Sequence, residues 1–377
     1  MDPNNSSPLQ ILLSAYHNPH KAAQEYRQKE WPIFAYLTQN VPVELLHAAD
    51  ILPVRIQGGK IADLAPGHLQ TFSCSYCRSA IHQAMNGEYD YLDGLLSAKT
   101  CDVALSLFQI WTLNRSFDFT WLVSLPGKSD EEAINYFREE LLHLKIALEA
   151  YRNTRVTDQK LEASISLYNE LRGLVSQLWR KRDNGSLALT GGEIIGALKG
   201  CQVLPPHVSL GLLRNLVGNG EKTGGAPGKG IRLMLLGNTF VDVSLAEIIE
   251  KSGGRIVIDD TSATGRHFDS PVRIEGDPLA SLARHYVSKV AGSYRLTYQE
   301  RRDHILQLMR NWKIDACIQI IQKFCDTSTF ESPLVDQDLK RQKIPSLTIE
   351  IDDTSLALGQ VETRVQAFLE MVGDFQW

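Results

Sequence analysis

Four of the six cysteines lie in predicted loops, where a thiol can bind a metal or react with a substrate. Cys74 and Cys77 form a CxxC pair, while Cys101 and Cys325 are each followed by an aspartate. The CxxC spacing by itself fits a redox dithiol, half of a zinc site or one edge of an iron–sulfur cluster. Inert buried cysteines are an equally ordinary alternative. The residue types therefore limit the chemistry to that of thiols without choosing among these uses.

A structural zinc site and a thioredoxin-type dithiol are both disfavoured by the surrounding sequence. Zinc needs further nitrogen or sulfur ligands, and no second CxxC or HxxxH pair occurs at the usual spacing. A thioredoxin-type motif would open a helix directly after the first strand of a small fold, and this chain is much larger. The remaining cysteines, Cys201 and Cys317, are predicted to be buried small hydrophobes.

Two of the cysteine loops follow predicted strands. The apolar run 92–97 predicts a strand and residues 102–111 predict a buried helix, so Cys101 lies at their junction. The apolar run 316–321 predicts another strand, directly before the loop of Cys325. Ligands of open α/β sheets collect at the carboxyl ends of strands, and a helix N-terminus favours a thiolate. We therefore expect the cysteine loops to meet in one cleft.

Strands that alternate with helices predict an α/β fold with parallel sheets. A chain of 377 residues is long enough for two domains. We predict an N-terminal α/β lobe at 1–129 with Cys74 and Cys101, a helical connecting segment at 130–222, and a C-terminal α/β lobe at 223–377 with Cys325. Both lobes are expected to be Rossmann-like, because residues 231–260 alone form a complete strand–helix–strand unit.

Composition places the chain among ordinary globular proteins, with 43% hydrophobic and 22% charged residues. The net charge is −5 and the longest basic run is Arg180 to Arg182, so nucleic-acid binding is not expected. We expect no secretory signal and no membrane span, since the N-terminus lacks a basic and apolar leader and no apolar run approaches about 20 residues. Six cysteines are too few for a disulfide scaffold. A cytoplasmic protein is expected.

An ordered series of motifs, from about residue 40 to the C-terminus, resembles the 2-hydroxyacyl-CoA dehydratase and benzoyl-CoA reductase superfamily. The motifs are residues 42–49 with 53–55, Cys74 with 78–79, 91–94, 100–102, 237–238, 257–260, 300–302, 324–326, 344–347 and 359–370.

The resemblance implies a 4Fe-4S cluster at the lobe interface, held by one cysteine from each loop. The matching positions are Cys74, Cys101 and Cys325, and three ligands would leave the fourth iron open to an exogenous ligand. Cys77 departs from the family pattern, because many relatives have an apolar residue there. We predict that Cys74 is the ligand and that Cys77 points into the protein as a small hydrophobe.

The resemblance also implies an activity and its partners. An ATP-dependent iron–sulfur activator protein would supply a low-potential electron, and the cluster would pass it to a CoA thioester substrate. The thioester then loses water, as in a lyase, or its aromatic ring is reduced, as in an oxidoreductase. A homologous second subunit, an anaerobic setting and oxygen sensitivity are expected. An electron-relay or partner subunit, and a double-cubane reductase of small molecules, are the alternatives.

Glu44 is the candidate catalytic residue outside the cysteine set. It lies at the start of a predicted helix, where it could hydrogen-bond the ligand of the open iron or move a proton. The alternative is an exposed carboxylate in the first turn, which the helix dipole favours. Arg55 and His82 are further candidates.

Overall fold

The computed structural model describes residues 6–27, 31–218, 229–289, 292–293, 298–355 and 357–374. The first of its two sheets is parallel and has four strands, in the order β2-β1-β3-β4. These strands are β1 Ile33–Tyr36, β2 Leu52–Arg55, β3 Gly94–Ala98 and β4 Phe119–Val123.

The second sheet repeats this arrangement, with four parallel strands in the order β6-β5-β7-β8. Its strands are β5 Ile231–Gly237, β6 Gly254–Thr261, β7 Ala316–Gln322 and β8 Ser346–Ile351. In both sheets the first strand of the lobe lies between the second and the third. The order of the strands therefore reverses at that first strand: the second strand is added on one side of it and the third on the other. Such a switch point is where open α/β sheets bind ligands.

Helices cover both sheets and fill the stretch between them. The first lobe and the connecting stretch contain α1 Pro8–His17, α2 Pro19–Arg27, α3 Val43–Ala48, α4 Ser75–Met85, α5 Asp102–Asn114, α6 Glu131–Arg152, α7 Asp158–Asp183, α8 Gly191–Cys201 and α9 Pro206–Gly218. The second lobe contains α10 Ser244–Lys251, α11 Pro278–Ser288, α12 Tyr298–Trp312, α13 Asp326–Arg341 and α14 Leu358–Asp374. None of the described helices has both the length and the apolar character to cross a bilayer.

The strand sequences explain why the sheets are interior. All four residues of β1 and all seven of β7 are buried. A parallel strand that is covered by helices on both faces reads as a near-continuous apolar run, as β1 does, whereas Gln319 and Gln322 interrupt the run in β7. The long helices begin at side-chain caps, for example Asp130, which accepts a hydrogen bond from the amide of Ala133 at 2.9 Å.

The predicted class, α/β with two parallel-sheet lobes, is confirmed by this architecture. Strand β1 was not predicted, because four residues are too few to show a period. Helix α13 was also not predicted, and its sequence is polar and contains Pro333. The N-terminal stretch is helical and packs into the fold, since α1 contacts α8 and α9 and buries Leu12. The predicted boundary near 223 lies outside the described residues.

Candidate functional site

A cavity of about 120 Å³ opens between the two lobes. Cys74, Cys77 and Cys101 line it from the first lobe, and Cys325 lines it from the second. The structure thus brings together the three cysteines predicted to meet, although their role as ligands stays a prediction.

The strand order explains why this cavity lies where it does. Cys101 follows β3, and residues 37–40, which also line the cavity, follow β1. In the second lobe Cys325 follows β7, and Asn238 follows β5. Each lobe therefore presents its own switch point, and the two switch points face each other across the cavity.

Each of the three cysteines is the N-cap residue of a helix. Cys74 precedes α4, Cys101 precedes α5 and Cys325 precedes α13, all with extended backbone angles. None of the three side chains caps its own helix by a hydrogen bond. The positive ends of three helix dipoles therefore point towards the thiols, which stabilises thiolates or another negative charge in the cavity.

Gly237 allows Asn238 to reach Cys325. Gly237 has φ +123°, and a Cβ there would lie 1.9 Å from the carbonyl oxygen of Ile320, so only glycine fits. The next residue, Asn238, donates a hydrogen bond from Nδ2 to Sγ of Cys325 at 2.8 Å. Ser328 in turn donates to Oδ1 of Asn238 at 2.7 Å, which fixes the orientation of the amide.

Cys74 and Cys77 interact directly. The hydrogen bond between the two thiols lowers the pKa of Cys74 and raises that of Cys77 well above its ordinary value, and burial adds to the rise at Cys77. Cys77 is 2% exposed, in agreement with the predicted small hydrophobe. It also lines the cavity, however, whereas the sequence predicts that it points into the protein. A fourth thiol is therefore within reach of whatever the cavity holds.

The thiols are also close enough to affect one another electrostatically. Burial raises the pKa of Cys101 to about 11, and the charges of Cys74 and Cys325 act in the same direction, while the amide of Ala104 opposes them. Cys101 is therefore a neutral thiol near pH 7 unless a nearby positive charge stabilises its thiolate.

Cys201 and Cys317 lie away from the cavity and are buried, as predicted. Cys317 is fully buried within β7 and packs with Met234 and Val257 in a core behind the sheet. Burial raises the pKa of Cys201 to about 12, so this thiol stays neutral. These two cysteines supply internal controls for the cavity cysteines.

The charged residues among the described residues of the cavity wall are arginines. Arg55 and Arg266 line the cavity, and no aspartate or glutamate does. Arg266 donates to the carbonyl oxygens of Asp260 at 2.9 Å and Gly237 at 2.7 Å, so it also braces the end of β5. Arg266 was missed in the sequence, because it lies in a short turn with no periodic pattern. The cavity is thus suited to an anionic occupant.

Glu44 lies in a buried ion pair. Its side chain is 0% exposed, it pairs with Arg172, and Tyr286 donates to its Oε2 at 2.8 Å. Burial alone would raise the pKa of Glu44, but Arg172 and His285 hold it below its ordinary value. Glu44 is not among the described residues of the cavity wall. The exposed alternative is wrong, and the catalytic role has no geometric support from this placement.

His82 also lies outside the described cavity wall. It is buried on α4, and its Nδ1 accepts a hydrogen bond from the amide of Leu64 at 3.2 Å. This hydrogen bond connects the preceding loop to α4, the helix that begins directly after Cys74. Arg55, the other secondary candidate, does line the cavity.

The spacing of the thiols bears on which metal group they fit. Among the described residues, no three His, Cys, Asp or Glu side chains lie close enough together to hold a single metal ion. A tetrahedral zinc needs its sulfur ligands at about 2.3 Å from one ion. In an iron–sulfur cluster each thiolate binds a different iron, so the sulfurs are spread around the group. The four thiols line one cavity, and among the described residues they do not converge on a single ion.

Comparison with known proteins identifies the family. Residues 38–372 match the model of the 2-hydroxyglutaryl-CoA dehydratase, D-component, family. The chain belongs to this family. The match covers both lobes and all four cavity cysteines, and it confirms the superfamily that the motifs resemble.

Three relatives match this chain over more than nine-tenths of its length. The chain is 25% identical to a benzoyl-CoA reductase subunit of Thauera aromatica, with 93% of this chain and 94% of the relative covered. It is 25% identical to lactoyl-CoA dehydratase subunit beta of Anaerotignum propionicum, over 97% and 98% of the two chains. It is 20% identical to (R)-2-hydroxyglutaryl-CoA dehydratase subunit beta of Acidaminococcus fermentans, over 94% and 96%. These relatives are subunits of dehydratases and of a reductase.

Proposed function

We propose that this D-component family member is an iron–sulfur subunit of an enzyme of the 2-hydroxyacyl-CoA dehydratase or benzoyl-CoA reductase type. Cys74, Cys101 and Cys325 would hold a 4Fe-4S cluster in the cavity between the lobes. One observation carries the proposal: three cysteines from three separate loops, each the N-cap of a helix, line one cavity. Scattered structural cysteines would not share this placement.

The donor set fits the proposed group. Thiolates are the usual ligands of iron–sulfur clusters, and three helix N-termini with Arg55 and Arg266 offset the negative charge that thiolates bring. When bound, a 4Fe-4S cluster supplies one-electron chemistry at potentials that extend to about −700 mV. The role of the other cavity residues follows from their contacts. Asn238 orients the thiol of Cys325.

The partners follow from the names of the relatives. We propose a CoA thioester as substrate, because the relatives are named for benzoyl-CoA, lactoyl-CoA and 2-hydroxyglutaryl-CoA. We propose a homologous second subunit, because the relatives are themselves subunits. An ATP-dependent iron–sulfur activator as electron donor and a cytoplasmic location complete the proposal.

An electron-relay subunit is the second candidate, and Cys77 is the observation that favours it. A fourth thiol on the cavity wall offers a fourth ligand. A cluster with four protein ligands has no open iron and transfers electrons without binding substrate at the metal. A double-cubane reductase would be recognised by its iron content, about twice that of a single cubane.

The test is anaerobic reconstitution with iron and sulfide, followed by measurement of both per chain. We expect about four irons and four sulfides in the wild type. Cys101→Ser and Cys325→Ser should lose most of this iron. Cys201→Ser and Cys317→Ser are matched controls that alter a buried thiol away from the cavity, and they should load as the wild type does. Equal loading in all five proteins contradicts the proposal.

A further inference from the structure

Nη1 of Arg55 and Oε1 of Gln39 are buried in the cavity wall, and neither has a hydrogen-bond partner among the described residues. Arg55 is 6% exposed and Gln39 is 4% exposed, so water reaches neither side chain freely. A buried donor or acceptor that is left unpaired costs free energy, and each such group in a folded protein needs an explanation. A ligand in the cavity would supply the missing partners.

The first sheet places these two residues at the same edge of the cavity. Arg55 is the last residue of β2 and pairs in register with Tyr36, the last residue of β1. Gln39 lies three residues after Tyr36, on the loop that leaves β1. Both side chains therefore project from the carboxyl ends of neighbouring strands, at the edge of the sheet where α/β folds bind ligands.

The surroundings of Arg55 hold its guanidinium in place without neutralising it. Its central carbon lies 5.5 Å from the centre of the Tyr36 ring. Burial raises the pKa of the Tyr76 hydroxyl, and the charge of Arg55 partly opposes that rise. Arg55 has no ion pair with a carboxylate among the described residues. A fixed, desolvated and unpaired cation is a strong hydrogen-bond donor for an electron-rich oxygen.

We infer that Arg55 and Gln39 form a donor–acceptor pair that recognises the acyl end of the ligand. Arg55 Nη1 donates to the carbonyl oxygen of a CoA thioester, and Gln39 Oε1 accepts from a hydroxyl on the adjacent carbon. The pair therefore determines specificity: Arg55 recognises the thioester carbonyl, and Gln39 recognises the hydroxyl. The inference rests on the proposed function, because it takes a CoA thioester as the occupant of this cavity.

Removing either contact should change ligand affinity, and the two removals should act differently on ligands that differ by one group. Removal of the arginine contact weakens every acyl thioester, since all of them carry the carbonyl. Removal of the glutamine contact weakens only ligands that carry the hydroxyl, since a ligand without it never made that bond.

The experiment measures binding by calorimetry under anaerobic conditions, with the reconstituted full-length chain and no electron donor. The probes are lactoyl-CoA and propionyl-CoA, which differ by one hydroxyl. We expect the wild type to bind lactoyl-CoA about tenfold more tightly, the size of one net hydrogen bond. Gln39→Leu should abolish this preference and leave the Kd of propionyl-CoA unchanged. Arg55→Met should raise both Kd values by about 10- to 100-fold, as expected for a charged donor.

Matched variants separate binding from folding. Gln57→Leu removes a buried glutamine whose Nε2 donates to the carbonyl oxygen of Lys199 at 2.7 Å, away from the described cavity wall. It should keep the wild-type preference. Arg55→Lys keeps the charge and should recover part of the affinity if Arg55→Met fails to fold. Iron content and the unfolding midpoint are measured for each variant.

Unchanged Kd values in Arg55→Met, or an intact lactoyl-CoA preference in Gln39→Leu, overturn the inference and leave the proposed function standing. If the wild type loads iron but binds neither probe, the substrate-binding form of the proposed function fails, and the inference fails with it. If both probes bind with the predicted pattern but no iron loads, the pair stands and the cluster assignment fails.

Discussion

The hydroxyl of Ser75 lies 3.0 Å from Oδ2 of Asp353 and 3.0 Å from its main-chain nitrogen. The serine donates to the carboxylate and accepts from the amide, so the two residues are joined in both directions. Ser75 follows Cys74 in the first lobe, while Asp353 follows β8 in the second lobe. Two further contacts extend this junction. Gln322 donates to Oδ2 of Asp353 at 2.5 Å, and Arg78 pairs with Asp352 at 2.6 Å.

Ser75→Ala should loosen the contact between the lobes. The substitution leaves the amide of Asp353 unpaired in the interior, which costs about 1–3 kcal/mol of unfolding free energy. Amide hydrogen exchange should rise in the segment after β8. Ser79→Ala is the control, because Ser79 is equally buried on α4 but bonds to the amide of Gly59 within the first lobe. Similar exchange in the two variants would contradict a role of Ser75 in joining the lobes.

Cys74→Ala and Cys77→Ala should differ in iron content. If the three-cysteine set is right, Cys77→Ala keeps the iron and the visible absorption of the cluster, while Cys74→Ala loses both. The reverse result would move the ligand by one helical turn along α4. Loss in both variants would indicate a fourth ligand and would favour the electron-relay candidate.

Glu44→Gln should destabilise the fold strongly. Arg172 would be left as a buried cation without its carboxylate, and breaking a buried pair costs about 3–5 kcal/mol. Glu170→Gln is the control, because its pair with Arg214 is exposed, and such pairs contribute at most about 1 kcal/mol. Denaturant unfolding measures both. Wild-type stability in Glu44→Gln combined with lost turnover would instead support the catalytic role.

The protein should lose stability on acidification between about pH 6.5 and 4, in part through His47. Ser164 donates its hydroxyl proton to the carbonyl oxygen of Glu44, so Nδ1 of His47, 2.9 Å away, carries a proton and donates to Ser164. Burial lowers the pKa of His47 to about 4. In this window the unfolded chain, with a histidine pKa of about 6.5, binds a proton that the folded chain does not, so unfolding is favoured as pH falls.

His47→Asn tests this window, because Nδ2 of asparagine can replace Nδ1–H as the donor to Ser164. The slope of unfolding free energy against pH should become shallower than in the wild type, by up to about 1.4 kcal/mol per pH unit. Part of the slope should remain, since burial also lowers the pKa of His285, to about 3. An unchanged slope would show that His47 is protonated in the folded state.

The sequence predicted those parts of the site that depend on local pattern. Cys101 and Cys325 follow strands directly, and the apolar runs that form β3 and β7 could be read without a structure. Cys74 does not follow a strand directly, since nineteen residues separate the end of β2 from the start of α4, and its place was expected only from the family resemblance.

Parts of the site that depend on distant residues could not be predicted. Glu44 pairs with Arg172, 128 positions away, and no local pattern shows that this carboxylate is buried. Gln39 and Arg266 lie in short turns at strand ends, where single polar residues look like any other loop residue. Strand β1 is only four residues long, so the loop that carries Gln39 could not be placed at a sheet edge.

Because the cavity cysteines are divided between the two lobes, binding of a group in the cavity and docking of the lobes depend on each other. Cys74 and Cys101 belong to one lobe and Cys325 to the other. A bound group can therefore contact all three only while the lobes are docked. Linkage is reciprocal: if docking of the lobes strengthens the binding of that group, binding of the group stabilises the docked lobes by the same free energy. Weakening the contact between Ser75 and Asp353 should therefore have two effects. The lobes should separate more easily when the cavity is empty, and a group bound in the cavity should dissociate faster.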